Sequence, residues 1–162
     1  MKKRNLLFIL VIIGGLFLLS GCSKEEEVKP KEKDTSVAGI LTSQFKEEMK
    51  KSKDSYEVIQ KISKNEKIAI SVDVIELKNG DYVDGFDTEI KGYKKAYAIK
   101  PMIGSIPFVA YLFEVDDAKE FEKKLNDNAN LRWNICTEAD NKSSAVVDHY
   151  VFFVMGPKSF EE

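Results

Sequence analysis

The sequence predicts an α+β domain, with helices packed on one side of a mostly antiparallel sheet. Three patterns in the chain lead to this class. Leu41, Phe45, Met49, Tyr56, Ile59 and Ile62 recur at helical spacing, with lysine and glutamate between them. Ile68, Ile70, Val72 and Val74 alternate with Ala69, Ser71 and Asp73, the period of a half-buried strand. Two long apolar runs, 106–115 and 146–155, then flank a second helical stripe.

In chain order, the first helical stripe breaks at the polar run Ser52-Lys53-Asp54-Ser55, which supplies potential caps for a second helix. The alternating strand closes at Asn79-Gly80, and an acidic, glycine-containing connection follows over 81–92. A strand is expected around 94–100, a turn over 101–105, and a strongly apolar strand over 106–115. Asp116 or Asp117 caps the next helix, with Glu120 completing a box-like pattern and Ala118, Phe121 and Leu125 forming its inner stripe. Strands over 132–137 and 146–155, around a polar connection, complete the domain. The second of these is apolar on both faces and reads as a central strand.

The amino terminus has a different character. Lys2, Lys3 and Arg4 precede an uncharged apolar run of about 14 residues, 6–19, whereas a spanning helix needs roughly 20. Leu19-Ser20-Gly21-Cys22 then resembles the lipobox of bacterial lipoproteins. That resemblance implies cleavage before Cys22, a diacylglyceryl group on its thiol and a membrane hold through acyl chains, two or three of which anchor far better than one. The expected organisation is a signal peptide over 1–21, a lipidated, charged tether over 22–40, one domain over 41–158 and a tail over 159–162. Residues 23–38 are charged, contain Pro30 and offer too little apolar surface to offset their ordering entropy.

Removal of residues 1–21 leaves 141 residues, with 22 basic against 27 acidic, a net charge of about −5. No basic field favours nucleic acid. Arginine occurs only at Arg4 and Arg132, a lysine bias that points to an A+T-rich, Gram-positive genome. The stretches GFDTEIKGYKKAYAIKPMIGSIPFVAY, NLRWNICTEAD and YVFFVM are similar to sequences of small proteins, without an assigned activity, from clostridia and related gut bacteria. This resemblance implies one domain and a Gram-positive source, and it transfers no catalytic residue. The expected location is the outer face of the cytoplasmic membrane.

Candidate sites are few. With Cys22 lipidated, Cys136 is the sole remaining thiol, and a register placing it opposite His149 in a terminal hairpin would pair a nucleophile with a base. The competing reading is a small buried cysteine and a rim histidine. Asp81, Asp84, Asp87 and Glu89 supply oxygen ligands suited to calcium, although their spacing departs from that of an EF-hand, so a solvated turn is the alternative. Met102 and Ile103 would form a recognition patch if their turn stands proud, and Arg132 and Trp133 could extend it. No phosphate loop, dinucleotide fingerprint or zinc spacing occurs, and no cofactor is expected. The expectation is a noncatalytic binding or accessory module for a solute, peptide or envelope protein. A cysteine-dependent enzyme or redox protein using Cys136, and an envelope structural protein, are the alternatives.

Overall fold

Ser36 starts the first helix by accepting the Gly39 amide on its hydroxyl at 3.1 Å. The computed structural model describes residues 35–160, apart from Asn79 and Ile135. Helix α1 spans Val37–Lys51 and α2 spans Ser55–Ser63. Between them Asp54 caps α2 by accepting from the Tyr56 and Glu57 amides, so the expected break lies where the polar run falls. Leu41, Phe45, Met49, Ile59 and Ile62 are fully buried, whereas Tyr56 is half exposed.

Five strands follow: β1 (Val72–Leu77), β2 (Tyr93–Pro101), β3 (Val109–Val115), then helix α3 (Ala118–Asn128), β4 (Asn141–Val147) and β5 (Tyr150–Gly156). They form one sheet in the order β1-β2-β3-β5-β4, with every neighbouring pair antiparallel. The α+β class and the antiparallel sheet are as the sequence predicts. The path from β3 through α3 to β4 crosses over β5, which leaves β5 central and β4 at an edge.

Alternation along the central strand builds two cores. Tyr150, Phe152 and Val154 face α1 and α2, together with Tyr97, Ile99 and Leu112. Val151, Phe153 and Met155 face the other way and pack with Phe121 and Leu125 of α3 and with Val83, Phe86 and Ile90 of the acidic connection. Helices α1 and α2 thus cover one face, and α3 with the 81–92 connection covers the other. Burial on both faces is what makes β5 apolar throughout.

Several expectations need correction. The described residues among 132–137 form no strand. The polar run NKSSAVV is instead the edge strand β4, where one side of the ladder meets water and serine costs little. The run 146–155 is two strands, not one: Val146 and Val147 end β4, and Asp148 turns the chain with φ 54° into β5. β1 starts at Val72 and extends to Leu77, four residues later than the alternation suggests. The domain also begins before residue 41, because Val37 and Ala38 are buried. Phe160 of the expected tail packs its ring 5.5 Å from Phe108. The lipobox Leu19 to Cys22 and the segment before residue 35 lie outside the described residues. Among the described residues no helix is long and apolar enough to cross a membrane.

Candidate functional site

One end of the sheet collects Val72, Pro101, Val109, Gly156 and Asn141; the other collects Leu77, Tyr93, Val115, Tyr150 and Val147. Loops at the first end meet around a cleft. Gly85, with φ +89°, is reached by the Asn130 amide, which donates to its carbonyl at 2.9 Å. Asn134 Nδ2 donates to the Gly104 carbonyl at 2.8 Å, and Thr137 Oγ1 donates to the Ser105 carbonyl at 2.8 Å. Three segments distant in sequence, near residues 84, 104 and 134, are therefore pinned together by backbone acceptors.

The cleft between them has a volume of ≈ 310 Å³ and is lined by Trp133, Ile106, Phe108, Asn134, Lys100 and Asp84 among others. Its apolar wall comes from Trp133, Ile106 and Phe108. Its polar side is an ion pair between Lys100 Nζ and Asp84 Oδ2, both partly exposed. That exposure weakens the pair as a stabiliser and leaves it accessible to a ligand. Beneath it the Tyr111 hydroxyl donates to the Asp84 carbonyl at 2.9 Å.

Burial first, and the nearby Asp84 charge second, hold the Tyr111 phenol well above its ordinary value of 10.0. Because the folded value lies above the unfolded one, the phenol's contribution to stability is fully present below pH 10.0 and is lost as the pH rises through the folded value. In an ultraviolet titration of the native protein, Tyr111 therefore stays silent until alkaline unfolding. Tyr111→Phe should move that unfolding to higher pH, while costing about 1 kcal/mol at neutral pH through the lost hydrogen bond. An alkaline midpoint that does not move in this variant would refute the assignment.

The two halves of the proposed thiol–imidazole pair do not meet. His149 sits in the turn of the β4–β5 hairpin, and Cys136 lies beyond the opposite end of β4, in the exposed loop after α3. The seven residues of β4 separate them by about 20 Å. His149 Nε2 instead approaches Glu114 at 3.9 Å. The physical reason is the strand shift described above: the hairpin is built from residues 141–156, so no register can bring Cys136 beside His149.

The four acids do not converge either. Asp81 accepts the Lys78 amide at 2.7 Å, Asp84 holds Lys100, Asp87 accepts from Asn130 Nδ2 at 2.8 Å, and Glu89 pairs with Lys91 at 2.8 Å. Each is committed to a separate partner. Among the described residues no group of three or more histidine, cysteine or acidic side chains is placed to hold a metal ion.

The apolar candidates fare differently. Met102 and Ile103 stand 65% and 64% exposed at the tip of the β2–β3 turn, and Trp133 lies half-buried on the wall of the cleft beside that turn. Arg132 is directed away into a neighbouring polar cleft with Cys136, its Nε donating to Glu138 at 2.5 Å. A larger groove along α3, ≈ 490 Å³, is lined mainly by charged side chains such as Lys123, which already pairs with Asp127 at 2.7 Å. The sequence marks Ile106 as part of an apolar run that reads as core and Asn134 as a donor beside Cys136, whereas both line the cleft, and it gives Lys100 no role. Only the alternation of β2, which turns Lys100 to the same face as Ala98 and Ala96, hinted at an unusual lysine on an otherwise apolar side. Compared with known proteins, the chain matches no family model, no curated protein and no solved structure.

Proposed function

We propose that this chain is a noncatalytic binding module, held on the outer face of the cytoplasmic membrane of a Gram-positive bacterium by acyl chains on Cys22. Its ligand is a small solute, or a side chain of a peptide, with an apolar body and one charged group. The observation behind this reading is the cleft itself: an aromatic and aliphatic wall beside an accessible ion pair, framed by three hydrogen-bonded loops. Binding sites commonly combine such a largely apolar lining with a few placed polar groups.

Trp133 is the sole tryptophan of the chain, so its fluorescence reports on the cleft directly. Titration with short peptides, amphiphilic amines and amphiphilic carboxylates should give a saturating emission change with one class. Lys100→Met should weaken the response to carboxylates, and Asp84→Asn the response to amines. The loss expected is about tenfold in affinity or more, since a hydrogen bond to a charged group contributes about 1.5–3 kcal/mol. If no class saturates, or if neither substitution alters a saturating response, the proposal fails.

A further inference from the structure

We propose that the Met102–Ile103 tip inserts into the lipid surface, so that the domain docks on the membrane that anchors it. This inference rests on the anchor reading given above. Two adjacent aliphatic side chains at the apex of a turn, each about two-thirds exposed, lose contact with water only if something covers them.

The direction from which the chain enters the domain selects the lipid as the cover. The Val37 amide donates to the Lys158 carbonyl at 3.1 Å, and the Lys158 amide donates to Asp140 at 2.7 Å, just past the end of β5. The amino-terminal segment therefore joins the domain at the same end of the sheet as the Met102–Ile103 turn. Only 14 residues separate Cys22 from Val37. Even fully extended, they reach no more than about 50 Å. A lipidated Cys22 therefore holds this end of the domain close to the bilayer, where a contact too weak to hold by itself becomes intramolecular and effective.

Charge does not drive the contact. Lys100, two residues before the turn, and Arg132, in the loop beside it, are each paired with a carboxylate, Asp84 and Glu138. Insertion is apolar, needs no anionic lipid and is insensitive to salt. It also brings the neighbouring cleft to the level of the headgroups.

The test uses the full chain, produced in a lipidating bacterium and reconstituted into phosphatidylcholine vesicles through its own anchor. Cys136→Ser removes the exposed thiol, and Ile103→Cys accepts an environment-sensitive fluorophore. A second preparation carries the fluorophore at Lys53→Cys, an exposed position at the opposite end of the sheet, beside Asp148. The expected result is blue-shifted emission at 103, quenched several-fold more by nitroxides on the acyl chains than emission at 53. Adding Met102→Asp should return position 103 to the emission of water. Equal, water-like emission at both positions overturns the inference. So does a blue shift at 103 that appears without vesicles and grows with protein concentration, since a second copy then covers the tip. Intact mass separates the two readings: a chain without acyl groups removes the anchor and the docking together, whereas an acylated chain with a solvated tip removes the docking alone.

Discussion

Phe152→Ala should lower the thermal midpoint by roughly 10–20 °C, the loss of about 3–5 kcal/mol from a domain of this size. Phe152 is fully buried in the central strand β5, between Leu112 and Ala145 on its neighbours. Its ring stacks on Phe45 of α1 at 5.2 Å between centroids, with planes 17° apart. Truncation removes the ring stack between α1 and the sheet and leaves a cavity walled by a central strand, which cannot collapse without breaking ladders on both sides. An ordinary domain is stable by about 5–15 kcal/mol, so the variant sits near the threshold of folding. Tyr56→Ala provides the contrast. Tyr56 belongs to the same apolar stripe in sequence, but it is 50% exposed, meets the Tyr97 ring at 5.5 Å and accepts from Gln60 Nε2 at 3.1 Å on its hydroxyl. Its loss should cost on the order of 1 kcal/mol. Thermal denaturation followed by circular dichroism compares the two, and equal effects would refute the placement of α1 and α2.

Gly85→Ala is expected to damage both stability and the cleft. Gly85 is buried and adopts φ +89°, where a side chain costs about 1–2 kcal/mol. An added Cβ would also lie 2.2 Å from Met155 Cε and 3.7 Å from Trp133 Cδ2. The Met155 methyl is the end of a flexible side chain, but Met155 is fully buried, so its displacement adds about 1–3 kcal/mol of overpacking. Met155→Ala in the same chain removes the overlap and leaves the backbone penalty. The double variant should therefore lose less than the sum of the single effects, a coupling that denaturant titration measures. Perfect additivity would show that Gly85 is required for its backbone conformation alone. Because Gly85 accepts the Asn130 amide next to Trp133, the single variant should also shift tryptophan emission.

Met102, Ile103 and Trp133 stood out because large apolar or aromatic residues in a turn or loop raise the question of what covers them. Asp84 stood out for a different chemistry, as a cation ligand, because its partner Lys100 lies 16 residues away. A charge pair at that separation has no local periodicity to announce it. Cys136 and His149 show the converse: the pairing depended on a strand register, and placing the strand a few residues off was enough to create a site that does not exist.

Local patterns in the chain determined the helices, their caps at Asp54 and Asp117, the α+β class and the apolar residues that fill both cores. Capping and amphipathic spacing act over a few residues, so they can be read directly. Only the tertiary structure decided that polar NKSSAVV is a strand, since an edge position pairs one side of its backbone and asks little of its side chains. It alone placed α3 and the acidic connection over the second face, because that covering depends on the crossover of β5. It also brought residues near 84, 104 and 134 around one cleft through bonds to backbone carbonyls. Every residue carries such a carbonyl, and so the side-chain sequence leaves no mark of where these bonds will form.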